Sequence, residues 1–190
     1  MAAKQSKRAA PPKRSATRRV ALQPAVGKPA NANITLRPHR PGDIGWVVSR
    51  HGALYAEEFG WDMSFEAMVA RIGAGFIDKF QPGLERAWIA EKNGIRIGAV
   101  FLVRKSKTVA KLRMLLIEPE ARGLGLGKRL VEECITFARA AGYRKITLWT
   151  HDFLLAARGI YLAAGFRMVS SEPNQAFGKS MHTEVWELKL

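Results

Sequence analysis

The chain has 190 residues, 47% hydrophobic and 25% charged, which suits one globular domain large enough to bury a substantial core. No apolar run is long enough to span a membrane as a helix, and a single cysteine, Cys134, excludes an intrachain disulfide framework and fits a reducing, cytoplasmic setting. The formal net charge of +15 is uneven: nothing acidic precedes Asp43, while Lys4, Lys7, Arg8, Lys13, Arg14, Arg18, Arg19 and Lys28 crowd the start of the chain.

Residues 1–32 therefore read as a basic, disordered tail. Pro11, Pro12, Pro24 and Pro29, many alanines and no apolar periodicity leave too little surface to bury to offset the entropy of ordering. Such a polycation associates with nucleic acid in a salt-dependent way; a solvated extension and an organelle-targeting peptide are the alternative readings.

Residues 33–190 are expected to fold. Residues 34–37 alternate as a short strand, and Asp43, after Pro41-Gly42, is placed to cap a helix running to about 59. Ser64 is expected to cap a second helix, whose apolar face is Phe65, Met68, Ile72 and Phe76. The period then changes to two. Strands 86–92 and 95–104 flank the hairpin pair Asn93-Gly94, and 109–117 supplies the next strand of a meander. A glycine-rich turn leads into a helix over 128–141, on which Leu130, Val131, Cys134, Ile135 and Ala138 share a face; Cys134 reads as core rather than nucleophile. A strand at 145–150, a helix at 154–164 and strands at 166–171 and 183–190 close an α+β domain with a mixed sheet. His39, His51, His151 and His182 lack ligand spacing, so no metal site is expected.

The turn Arg122-Gly123-Leu124-Gly125-Leu126-Gly127-Lys128 lies between a strand and a helix, where a glycine-rich backbone and the positive end of the helix dipole suit a phosphate. Its spacing excludes two nucleotide readings. A P-loop needs four residues between its glycines and Ser or Thr after the lysine, whereas here three separate Gly123 from Gly127 and Arg129 follows Lys128. A dinucleotide fingerprint starting at Gly123 would need glycine at 128, which is lysine.

The arrangement that does fit is Arg/Gln-x-x-Gly-x-Gly/Ala, carried by Arg122, Gly125 and Gly127, and it resembles the pyrophosphate loop of the GNAT N-acetyltransferase superfamily. The preceding Leu115-Leu116-Ile117-Glu118-Pro119 and the later Ile160-Tyr161-Leu162-Ala163-Ala164-Gly165-Phe166 resemble the central strand and the closing helix and turn of that family. The likeness runs from about Ile34 to the C-terminus and includes domains fused behind MarR-type DNA-binding modules.

The resemblance implies a mostly antiparallel twisted sheet flanked by helices and an enzyme that moves an acetyl group from acetyl-CoA to a primary amine in a ternary complex. It implies that Leu115, Leu116 and Ile117 pair with the pantetheine chain and that Arg122, Gly123, Leu124, Gly125, Leu126, Gly127 and Lys128 hold the pyrophosphate. A bulge or splay of the central strand would expose its backbone groups for this. Tyr161, at the tyrosine of the Tyr-x-x-x-Gly-Phe ending, is implied to protonate the departing thiolate, and Ala157 matches a cofactor contact, whereas Leu154 stands where relatives often carry asparagine.

The general base is open. Glu118, just past the central strand, is the first candidate; Glu57 and Glu58, near Trp61 on the acceptor side, come second, and His151 with Asp152 third. Glu57, Glu58 and Trp61 are also expected to hold the acceptor ammonium by charge and cation–π contact. Three functions stay open: acetylation of a small or amino-acid-like amine, acetylation of a protein lysine or N-terminus, and non-catalytic acyl-CoA sensing or nucleic-acid association. The closing segment 177–190 could also pair with a second subunit as a homodimer.

Overall fold

The computed structural model describes residues 33–190, so the reading of 1–32 as a basic tail lies outside the described residues. Seven strands form one sheet in the order β1-β2-β3-β4-β5-β7-β6, with every neighbouring pair antiparallel except β4 and β5. The strands are β1 (Ile34–Pro38), β2 (Arg86–Lys92), β3 (Ile95–Arg104), β4 (Val109–Ile117), β5 (Lys145–His151), β6 (Arg167–Ala176) and β7 (Lys179–Lys189). The helices are α1 (Asp43–Phe59), α2 (Met63–Lys79), α3 (Leu126–Ala140) and α4 (Leu155–Ala163).

The parallel pair arises because β4 reaches β5 through α3, a crossover that returns the chain in the same direction. α3 buries Leu130, Val131, Cys134 and Ala138 against Trp88, Leu102, Leu112 and Ile146 on one face of the sheet. On the other face, α1 and α2 cover Ile89, Ala99 and Phe101 through Ile44, Val47 and Phe76. Burial pushes the Cys134 thiol well above its ordinary pKa, as suits a core side chain.

Two caps differ from expectation. The N-cap of α1 is Gly42, at φ 90°, and the carboxylate of Asp43 instead accepts from Arg40 N–H at 2.7 Å and from the Arg37 guanidinium at 2.6 and 3.1 Å. α2 is capped by Asp62, which accepts Ser64 N–H at 2.9 Å. In both cases the cap is a residue one or two positions earlier than the expected one.

The last hairpin is longer than expected. β6 and β7 pair from Arg167↔Glu187 to Ala176↔Lys179 around Phe177-Gly178, both at positive φ (55° and 76°) as a tight two-residue turn requires. The polar run Ser170–Asn174 and Pro173 argue against a strand, but β6 is an edge strand, where one side of the backbone needs no partner and proline is tolerated.

Candidate active site

β4 departs from regular pairing on both sides near its end. Toward β5, only Val109, Ala110 and Lys111 pair, with Lys145, Ile146 and Thr147, while β5 itself continues against β7 as far as His151↔Thr183. Toward β3, Phe101 faces Arg113 but Ala99 faces Leu116, so Met114 and Leu115 together oppose Val100. This is a β-bulge, and Met114 adopts φ 58°, a conformation few non-glycine residues take. The bulge turns the end of β4 away from β5. Among the described residues, Leu115, Leu116 and Ile117 thus have no strand partner on that side, and an extended chain can lie along them. Leu116 is buried, whereas Leu115 and Ile117 are partly buried against the α3-side core.

A single 3-10 turn, Pro119–Ala121, carries the chain from β4 toward the glycines. Gly123 and Gly125 both have φ 75°, and Gly125 is the N-cap of α3 with no side-chain cap. Arg129 N–H donates to Gly125 O at 3.1 Å, and the N-terminal end of α3 directs its backbone donors and positive dipole out of the helix. Gly127 has a different reason to be glycine. It is buried, and a Cβ there would stand 2.6 Å from Ile160 Cδ1, so its absence lets α3 approach α4. Leu126 is buried in the same core and Leu124 packs against it. The Lys128 side chain is exposed and 3.8 Å from Glu132; Arg122 Nη2 donates to Glu58 Oε1 at 2.5 Å, joining the turn to the end of α1.

Beneath the gap lies a cavity. α4 lines it with Tyr161 and Ala157, β4 with Leu115 and Met114, α1 with His51 and Tyr55, and α2 with Phe65, Met68 and Ile72. Trp61 closes the α1–α2 junction, its ring 4.5 Å from Phe65 and 4.9 Å from Tyr55 between centroids. Tyr161 is 5% exposed. Burial, with Tyr55 and Cys134 nearby, raises its phenol pKa, and burial beside Glu58 pushes Tyr55 up to about 12. Both phenols therefore stay protonated through the neutral range and are available as donors.

Two histidines reach the same cavity from different elements. The His51 ring stacks on Tyr55 at 5.8 Å, and its Nδ1 lies 2.9 Å from Val47 O. The carbonyl can only accept, so Nδ1 carries the hydrogen and Nε2 keeps a lone pair. Burial holds this imidazole neutral, with its pKa lowered to about 4. His151 is 1% exposed, edge-on to Trp61 at 5.2 Å and to Trp149 at 5.3 Å. Neither of its ring nitrogens has a hydrogen-bond partner among the described residues, and burial lowers its pKa as well.

The acids expected from sequence lie elsewhere. Glu118 is 5% exposed, and its two oxygens accept from Arg50 Nε and Nη2 at 2.7 and 2.8 Å; it does not line the cavity. Glu57 and Glu58 are exposed on the last turn of α1, Glu58 paired with Arg122, and neither lines the cavity, whereas Trp61 does. Asp152 pairs with His182 Nδ1 at 3.3 Å. The fold thus gathers Tyr161, Ala157, Leu115, Trp61 and His151, and adds His51, Tyr55, Arg113 and Met114, which sequence reasoning did not select. The spacing of His51 and Tyr55, four apart on α1, was the available signal, since it puts both on one helical face. Among the described residues, no group of three His, Cys, Asp or Glu is placed to hold a metal ion.

Comparison with known proteins agrees with this geometry. The sequence profile of the Acetyltransferase (GNAT) family matches residues 52–166. An N-acetyltransferase of Schizosaccharomyces pombe is 30% identical over 150 residues, 77% of this chain and 88% of the relative. Among solved structures, the yncA protein of Salmonella typhimurium, determined with its cofactor acetyl-CoA, superposes with a TM-score of 0.67 at 17% identity, covering 83% of this chain and 94% of that one. Ribosomal-protein-alanine N-acetyltransferase from Brucella melitensis superposes with a TM-score of 0.68 at 15% identity, covering 82% and 99%. The bulged β4, the glycine turn opening α3 and the extent of these matches together assign the chain to the GNAT family of acetyl-CoA-dependent acetyltransferases.

Proposed function

We propose that this enzyme acetylates the primary amine of a small, amino-acid-like acceptor, and that the cavity under the β4–β5 gap receives that amine. The observation that carries the reading is the enclosure of the cavity by Tyr55, Trp61, Phe65 and Tyr161, which suits a compact acceptor better than an extended polypeptide. Acetyl-CoA would lie along Leu115, Leu116 and Ile117, with its pyrophosphate at Arg122, Gly123, Leu124, Gly125, Leu126, Gly127 and Lys128 and with Ala157 beside it. The residues present fit that ligand: the bulge leaves β4 an unused edge, and the turn opens a helix N-terminus without a side-chain cap.

In this reading the neutral amine attacks the thioester carbonyl carbon, the carbon–sulfur bond breaks, and the thiolate takes a proton from Tyr161, whose phenol is restored by the proton that the acylated nitrogen gives up. Burial keeps the phenol protonated and its pKa above that of a thiol, so it would donate a hydrogen bond to the departing sulfur and release its proton only in concert with gaining the one from nitrogen. A proton must also leave the acceptor ammonium. Glu118, fastened by Arg50 and outside the cavity lining, would serve as base only through intervening water. Glu57 and Glu58 would attract an ammonium at the exposed end of α1, and Trp61 would meet it inside.

The test is release of free thiol from acetyl-CoA with a panel of amino acids, polyamines and peptides. Release with small amines supports the proposal, and release confined to peptides would overturn it.

A further inference from the structure

Arg113 follows Leu112 on β4 and precedes the bulge, and it lines the aromatic cavity. It also lines a neighbouring groove of 430 Å³, whose walls include Ile72, Gly75 and Phe76 of α2. Half-buried, the guanidinium makes no hydrogen bond or ion pair with a described residue, and its pKa is lowered by burial with no carboxylate acting the other way. Lys111, two residues earlier, is pushed down to about 8 by burial and by the like charges of Arg113 and Lys105. The charge around the groove does not balance: Arg71, Lys79, Arg104 and Arg113 line it with one carboxylate, Glu85. Both oxygens of Glu85 already accept backbone N–H groups, from Gln81 at 3.0 Å and from Arg104 at 2.8 Å. A partly desolvated guanidinium without a counter-ion is costly unless an anion joins it.

Resting on the reading that the cavity takes the acceptor amine, we infer that Arg113 binds a carboxylate on that acceptor, so that the substrate class is a small α-amino acid with an apolar or aromatic side chain. The planar fork of a guanidinium matches a carboxylate with two parallel hydrogen bonds. Phe65, Met68 and Ile72 beside Arg113 would pack against the apolar side chain, while the amine faces the bulge at Met114 and Leu115. The carboxylate and the amine of an α-amino acid sit on one carbon. A single acceptor can therefore reach the guanidinium and the end of β4 together, given that two residues of strand span about 7 Å.

The test compares phenylalanine and methionine with their amides and with aminoalkyl phosphates of similar length, on the wild type, Arg113→Gln and Arg113→Lys. Thiol release is followed, together with acceptor affinity from tryptophan fluorescence on the CoA-loaded protein, since Trp61 and Trp149 line the cavity. The wild type should favour acid over amide by about tenfold or more, the scale of one charge-assisted pair, in both measurements. That ratio should fall to about one in Arg113→Gln and to an intermediate value in Arg113→Lys, with melting temperatures confirming that each variant is folded. An acid-to-amide ratio unchanged by Arg113→Gln overturns the inference while leaving acetyl transfer standing, and so does preference for the phosphates. If the acids bind with the expected ratio but no amine releases thiol, the Arg113 site stands and the acetylation reading fails.

Discussion

Arg50, in the middle of α1, holds Glu118, the residue after β4, through two parallel hydrogen bonds of 2.7 and 2.8 Å. The pair ties the acceptor-side helix to the point where β4 turns into the glycine loop, and Glu118 N–H donates to Ile97 O at 2.9 Å from the other side. Arg50→Met would leave the Glu118 carboxylate buried without its cation. Because the Arg50 side chain is 34% exposed, water can partly replace it, and the expected loss of stability is about 2 kcal/mol rather than the larger cost of a fully buried pair. Urea unfolding of Arg50→Met and Glu118→Gln measures this. If Glu118 also relays the acceptor proton, Glu118→Gln should lower kcat by about 100-fold while the KM for acetyl-CoA stays nearly constant.

Tyr161→Phe removes the hydroxyl and keeps the ring that packs near Phe166 and Trp186, at 5.8 and 6.5 Å. The fold should therefore survive. Turnover should fall by about 100-fold or more, with acetyl-CoA affinity changed by less than about threefold, because the proton is needed only as the thiolate departs. Turnover equal to wild type with a confirmed acceptor would remove Tyr161 from the acid role.

The two last glycines of the turn should respond differently to substitution. At Gly125 a Cβ meets nothing within 4 Å, but the backbone sits at φ 75°, so Gly125→Ala should cost about 1 kcal/mol of stability through strain alone. At Gly127 the obstacle is Ile160, and Gly127→Val should wedge α3 from α4 and weaken acetyl-CoA protection by shifting the helix N-terminus. Thermal shift with and without acetyl-CoA separates the two; equal loss of protection from both would contradict this division.

Stability should fall as the medium becomes acidic. His51 has an ordinary pKa near 6.5 when unfolded and about 4 when buried, so between those values the unfolded chain binds a proton that the folded chain refuses. Its contribution is complete above pH 6.5 and declines as pH falls toward 4, amounting to about 2 kcal/mol lost by pH 5. Burial lowers His39 and His151 as well, which acts in the same direction. Denaturant unfolding at pH 7.5 and 5 should show the drop, and His51→Asn should show less of it; parallel curves for the two proteins would refute the assignment.

Element type was legible because each helix and strand buries one face, and burial imposes a period of 3.6 or 2 on the side chains. The meander β2–β3–β4 emerged at its full extent for this reason. Caps and edges were less legible: Asp62 and Ser64 are both good caps, and Asp62 takes the role by accepting Ser64 N–H while its own N–H donates to Phe177 O across the fold. β6 carries the composition of a loop and is a strand because β7 pairs with it at the sheet edge.

The amino-acid sequence by itself determined the order of elements, the glycine turn and the Tyr161 block, since these depend on local spacing that any fold must respect. The tertiary structure alone decided which side chains meet. Arg50 and Glu118 are 68 positions apart, Arg122 and Glu58 are 64 apart, and His51 and His151 reach one cavity from a helix and a strand on different parts of the chain. Such encounters depend on the packing of α1 and α2 across β4 and on the bulge at Met114. Both arise from long-range contacts that leave no periodic trace in the residues that make them.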